Sequence, residues 1–230
     1  MKNYILALFL FLVLIVSTFF ISADTNIVNI KEVSSKSICK VSEKNEEEEK
    51  YIINSYIPST GINELDKKIE EIYNQITEEF KKEAISLDLL EDGKKFYLNI
   101  NFNNYEYDNY ISFLISYSCD FGGAHPDTDI FTINYNKQNN SFINIDTLIS
   151  KNKNILDIFS KYSYESLKNK NAILKEKMII KEGISANKEN FENFVFSKDG
   201  IILFFSNYNV ASYYLGNFEV VIGYDIVKVN

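Results

Sequence analysis

The 230-residue sequence has no arginine and no tryptophan, one histidine, two cysteines and two prolines. Each scarcity removes a class of function. A nucleic-acid binder needs a basic face; here 24 lysines stand against 32 acidic residues, for a formal net charge of −8. Such acidity keeps a chain soluble and favours encounter with basic partners. One histidine and two cysteines are too few for a zinc site of ordinary ligand type. No P-loop, dinucleotide fingerprint or nucleophile motif occurs, and no cofactor is expected.

What is present begins with a hydrophobic run. Lys2 is the only charge before Asp24, and Tyr4–Ala23 is continuously apolar or small. Ser22 and Ala23 offer small residues to a signal peptidase. Twenty residues at ~1.5 Å rise also span ~30 Å, enough to cross a bilayer. Residues 1–23 are therefore a signal peptide or an N-terminal anchor. Either places the rest of the chain outside the cytoplasm, with membrane contact only through residues 4–23. Residues 24–50 read as linker with a first strand near Ser37–Ser42, and Glu46–Glu49 as a solvated turn. Residues 51–230 form one domain, divided into 51–120 and 121–230.

Within it, Tyr51–Ile57 is an expected strand stopped by Pro58. Asn63 is a candidate helix cap, followed by the stripe Leu65, Ile69, Ile72, Ile76 and Phe80. Residues 96–102 and 110–119 alternate with period two and predict an antiparallel pair. Ile130–Tyr135 and Phe142–Ile145 are further strands. Asp146 caps a short turn of helix, and a second helix runs over Lys153–Lys168. Residues 169–190 are a helical or irregular connector. Phe194–Phe196 and Ile201–Phe205 flank an Asp199-Gly200 turn, and Phe218–Val227 is the last strand. Elements in runs, without strict βαβ alternation, predict an α+β fold: antiparallel sheets with two main helices on one face.

The single histidine sits in Phe121-Gly122-Gly123-Ala124-His125-Pro126. Asp120, His125, Asp127 and Asp129 offer donors to a hard cation. Against this, two glycines and a proline build a rigid turn in which His125 hydrogen-bonds the loop backbone. The turn is the reading adopted, with no metal. An even cysteine count in an exported chain points to a Cys39–Cys119 disulfide, a buried thiol being the alternative. Tyr105, Tyr107, Tyr110, Tyr208, Tyr213 and Tyr214 fall in loops or at strand ends, where tyrosine suits a binding surface.

The run Gly122–Pro126 with Tyr117, Thr128 and the strand Phe131–Tyr135 resembles the RsiV-like extracytoplasmic domains. Asp146-Thr147-Leu148, Asn190-Phe191, Phe194–Phe196, Lys198-Asp199-Gly200, Tyr208–Ala211, Tyr213 and Gly216 continue the likeness, over about residues 50–227. The usual glycine after the third strand is replaced by Gln138-Asn139-Asn140, where asparagine also adopts αL. In that family the module forms the lysozyme-binding ectodomain of an anti-sigma-V factor and precedes the catalytic domain of the peptidoglycan deacetylase PdaC. The resemblance implies an extracytoplasmic, non-catalytic binding module for a lysozyme-like protein or a peptidoglycan fragment. It implies Gly122, Gly123, Ala124, His125, Pro126 and Thr128 as the motif. The alternatives are an envelope hydrolase using Asp120, His125 and Asp127, a deacetylase-associated domain, or a purely structural envelope protein.

Overall fold

Strict alternation over Phe96–Ile100 buries one side of a long strand, Ile111–Ile115 is buried on both sides of the next, and a six-stranded sheet grows around them. The computed structural model describes residues 39–88, 90, 93–170 and 181–228. The expected signal or anchor at 1–23 and most of the expected linker lie outside the described residues. Among those described, no helix is long and apolar enough to cross a membrane. The first sheet comprises β1 (Lys40–Glu47), β2 (Tyr51–Ser59), β3 (Phe96–Tyr107), β4 (Tyr110–Asp120), β5 (Asp127–Asn136) and β6 (Ser141–Phe142), in that spatial order. All neighbours are antiparallel except β2 and β3. A parallel pair needs a crossover, here supplied by α1 (Asn63–Ser86).

The first strand lies later than expected, and it takes in Glu46 and Glu47 from the acidic run. Glu48 N donates to Tyr51 O at 2.9 Å, closing the β1–β2 hairpin. That bond sets the phase of the ladder. Pro58, opposite Val41, then falls where an N–H would point away from β1, and the β2–β3 pairing has already ended at Ser55. Proline is tolerated at such a position, so β2 runs on to Ser59 instead of stopping.

Helix α1 buries Leu65, Ile69, Tyr73, Ile76, Phe80 and Ala84 against Ile53, Phe96, Leu98, Ile100, Ile111, Phe113 and Ile115. Each fully buried side chain of this kind contributes about 1.5–3 kcal/mol. The cap differs from expectation. Ile62 holds the N-cap position without a side-chain bond, and Asn63 is the first helical residue. Asp66 reaches back instead, accepting from Thr60 N and Thr60 Oγ1 at 2.7 Å, Ser59 Oγ at 2.9 Å and Gly61 N at 3.0 Å.

A second core forms between α3 (Ile155–Leu167) and a three-stranded sheet of β7 (Phe194–Ser197), β8 (Gly200–Phe205) and β9 (Phe218–Ile222). The α+β architecture is as expected, and each main helix has its own sheet. Short α2 (Ile145–Lys151) is capped by Asn144, not Asp146: Asn144 Oδ1 accepts from Thr147 N at 3.0 Å. That cap limits the fourth strand to two residues. The final strand is also shorter than expected. It ends at Ile222, and Gly223 opens α4 (Tyr224–Val227). The turn brings Tyr224 Oη to Ser197 O at 2.8 Å and its ring onto Tyr107, 4.4 Å between centroids.

The two sheets meet through the open edge of β7. Phe194 N donates to Thr132 Oγ1 at 3.2 Å, Phe194 O accepts from Asn134 Nδ2 at 2.8 Å, and Phe196 N donates to Ser112 Oγ at 3.1 Å. Ser112 Oγ also donates to Asn134 Oδ1 at 2.6 Å. Polar side chains on β4 and β5 thus satisfy an edge strand that would otherwise be buried unpaired.

The expected disulfide is absent: Cys39 and Cys119 are not bridged. Registers explain this. Cys119 stands opposite Leu98, level with Ile53 on β2, whereas Cys39 precedes Lys40, level with Ser59. The two are three strands and more than six residues out of line, roughly 20 Å along the sheet. A disulfide needs Cα atoms within ~7 Å.

Candidate binding surface at the histidine loop

The β4–β5 loop is built by a local turn and one aromatic anchor. Asp120 Oδ1 accepts from Gly122 N at 2.8 Å, and Gly122 takes φ +78°. Phe121 turns inward and stacks on Phe80 at 5.2 Å, beside Phe96 at 5.7 Å. Gly122, Gly123, Ala124, His125, Pro126 and Asp127 are all exposed. Gly123 has an ordinary φ and no neighbour nearer than His125 O at 3.8 Å to a built Cβ, so only one of the two glycines is required by conformation. His125 Nδ1 lies 3.3 Å from Pro126 O, the loop-backbone contact expected of it.

The connection between β8 and β9 meets this loop. Tyr213 Oη donates to Pro126 O at 2.6 Å, and the Tyr213 ring stacks on His125 at 3.9 Å. Tyr208, held at φ +67°, adds a third ring 5.3 Å from Tyr213 and is 60% exposed. Tyr214 is likewise exposed. Beneath them Asn207 Nδ2 donates to Thr128 Oγ1 at 2.8 Å and Ser206 Oγ to Asp129 Oδ1 at 3.0 Å. The Tyr213 hydroxyl is held above its ordinary pKa, first by burial, then by the negative Asp127 and by Tyr208.

The tyrosines therefore divide. Tyr208, Tyr213 and Tyr214 sit in the segment that meets the histidine loop. Tyr105, Tyr107 and Tyr110 do not; they are partly buried, packing on Phe204 at 6.4 Å, Tyr224 at 4.4 Å and Phe196 at 4.0 Å. Burial, with Glu219 second, also raises the Tyr105 pKa. Sequence reasoning passed over Ser206 and Asn207, which tie the two loops. Their only signal was position, immediately before Tyr208.

The acidic set does not converge. Asp120 is spent on Gly122 N, and Asp129 Oδ1 on Ser206 and on Ile130 N at 2.8 Å. Among the described residues no three of His, Cys, Asp and Glu group as metal ligands. The surface offers stacked rings, carbonyls and carboxylates: chemistry for contact with a cationic or polar ligand.

One family model matches the carboxy-terminal part of the chain. Residues 146–225 match the family described as protein of unknown function DUF3298. The histidine loop precedes that stretch, while Tyr208, Tyr213 and Asn207 lie inside it. The Bacillus subtilis (strain 168) peptidoglycan-N-acetylmuramic acid deacetylase PdaC is 28% identical over 165 residues, 71% of this chain and 35% of PdaC. The chain thus spans about a third of that relative's length. Two solved structures share the fold, each covering 83% of this chain and 91% of its own. One is a DUF3298-family protein from Bacteroides fragilis, at 17% identity and TM-score 0.54. The other is from Pseudomonas aeruginosa PAO1, at 13% and 0.59.

Proposed function

We propose that the chain is a non-catalytic binding module that works outside the cytoplasm on a cell-envelope partner. The leading ligand is a basic, lysozyme-like protein, with a peptidoglycan fragment second. The observation that carries this reading is the stack Tyr208–Tyr213–His125, with exposed Tyr208 and His125 on either side of half-buried Tyr213, beside Asp127 on a chain of net charge −8. Rigid aromatic area beside negative charge is what an interface hot spot for a cationic partner requires. The likeness to PdaC, named as a peptidoglycan deacetylase, and the resemblance to RsiV-like ectodomains support the envelope setting, as does the apolar run Tyr4–Ala23. Calorimetry against lysozyme tests it. Binding at low salt should weaken as ionic strength rises, and Tyr208→Ala with Tyr213→Ala should weaken it about tenfold or more, or about 1.4 kcal/mol. No heat at low ionic strength, or a folded double variant with unchanged affinity, would sink the reading.

A further inference from the structure

The face of the first sheet turned away from α1 carries a pattern the loop surface does not use. Registers place Asn45 opposite Asn54, Asn54 opposite Asn99, Asn99 opposite Ser118, and Ser118 opposite Thr128. One straight row of amides and hydroxyls therefore crosses five strands. Tyr97 and Tyr56 flank the Asn54–Asn99 pair on opposite sides, each about two-fifths exposed at 42% and 41%. The outward residues of β3, Tyr97, Asn99, Asn101 and Asn103, are all exposed and none is charged, in a chain with 24% charged residues. A solvated sheet face or edge is ordinarily kept soluble by lysine and glutamate. Here Glu43, Asp120 and the Glu47–Lys95 ion pair, at 2.7 Å, stand only at the margins, and Asn45 Nδ2 donates to Glu43 Oε1 at 2.9 Å. Asn207, bonded to Thr128, closes the far end of the row.

We infer that this row is a binding platform for a neutral, N-acetylated sugar chain, distinct from the His125 surface that it adjoins. Asn54 Nδ2 donates to Asn99 Oδ1 at 3.1 Å, which orients both amides. It leaves Asn54 Oδ1 and the Asn99 amide hydrogens unused among the described residues. A side-chain amide presents donor and acceptor together, matching the adjacent hydroxyl and acetamido groups of a sugar. The tyrosine faces supply flat apolar area for the C–H side of the ring. The row advances one polar group per strand, ~4.8 Å apart, a step close to the ring-to-ring repeat of a β-1,4-linked chain. Charge complementarity selects the same ligand. An uncharged strip takes an uncharged polyol without desolvating an ion, whereas a cationic protein is drawn to the acidic margin and an anion is repelled by it.

The test titrates the purified protein with a β-1,4-linked N-acetylglucosamine tetramer, read by 15N NMR of asparagine side chains and by calorimetry. The Asn54 and Asn99 amide signals should shift. Asn54→Ala with Asn99→Ala should weaken binding about tenfold or more, and Asn99→Asp, which keeps the shape but removes the donors, should weaken it too. Ile85→Ala, exposed on α1 at the opposite face of the sheet, should leave it unchanged. No shift at about millimolar tetramer, or unchanged affinity in a double variant that keeps its circular dichroism, overturns the proposal. Lysozyme perturbing these amides while the tetramer does not would overturn it as well, and would make the platform a protein interface. Failure here leaves the reading of the His125 surface intact, because that reading is tested through Tyr208 and Tyr213.

Discussion

Gly183 shows how tightly the β8–β9 connection is held. A Cβ there would stand 1.8 Å from Asn209 O and 2.6 Å from its carbonyl carbon, backbone atoms one residue past Tyr208. Gly183→Ala should therefore destabilise by about 1–3 kcal/mol, with a fall in Tm of ~2–4 °C per kcal/mol for a chain of this size. Thermal unfolding measures it. Gly123→Ala, with open space and ordinary φ, should change Tm little, whereas Gly122→Ala must adopt φ +78° and displace Leu90 Cδ2. From sequence the two glycines looked equivalent, because nothing in the pair says which one carries the positive φ. Cys119 gives a second residue-scale expectation. Burial first, then the Asp127 carboxylate, pushes its thiol up to about 11. At pH 8 it should react with iodoacetamide about a hundredfold more slowly than a model thiol of pKa ~8.5, accelerating as pH approaches 11. Mass spectrometry of the alkylated peptide measures this; a rate matching the model thiol would contradict the half-buried placement beside Asp127.

At the scale of elements, the open edge of β7 rests on a shared network, so its parts should not behave independently. Ser112 and Asn134 are both buried, bonded to each other and to the β7 backbone. Ser112→Ala and Asn134→Ala should each cost about 1–3 kcal/mol by leaving backbone groups unsatisfied. The double variant should cost clearly less than their sum, read from denaturant midpoints. Additive costs would mean the two side chains act separately. At the start of α1, Asp66 is partly buried, which opposes its charge, but the donors at Ser59, Thr60 and Gly61 outweigh this and hold its pKa below the ordinary 3.8. Its contribution is thus fully present above pH ~4 and is lost as pH falls through the lowered value. Asp66→Asn should destabilise by about 1–3 kcal/mol at pH 7, and the gap from the parent should narrow as pH falls below the ordinary 3.8. Strands β3, β4, β7 and β8 and helix α1 were legible because alternation and the four-three stripe are local signals. The cap at Asn144, the passage of β2 through Pro58 and the end of β9 at Ile222 were not. Each depends on a bond to a particular neighbour or on ladder phase, which periodicity does not encode.

For the whole molecule, the α+β class and the pairing of β3 with β4 could be read in advance, but the joining of two cores could not. Ser112, Thr132 and Asn134 are the polar positions of their strands, and the structure turns them onto β7. The same blindness hid the platform. Asn54 and Asn99 were merely the polar half of an alternating pattern until the registers aligned them. The first core buries Tyr51 and Tyr73, Tyr117 and Tyr224 are half-buried at the edges of the two cores, and that has a consequence for pH. Burial first, then Glu46, raises Tyr51 to about 12; burial first, then Asp129, raises Tyr117 to about 12. Burial likewise raises Tyr73, and burial with Tyr107 raises Tyr224. An acid whose folded pKa lies above its unfolded value keeps its proton longer in the folded state. Folding then binds more protons than unfolding over that interval, so stability falls as pH rises. For these tyrosines the fall begins near the unfolded pKa of ~10, with Cys119 contributing from ~8.5. The chain should therefore unfold cooperatively at alkaline pH, with phenolate absorbance appearing together with the loss of circular dichroism. Phenolate formation at Tyr51, Tyr73, Tyr117 and Tyr224 near pH 10 with the fold intact would show that these four rings are not placed as described.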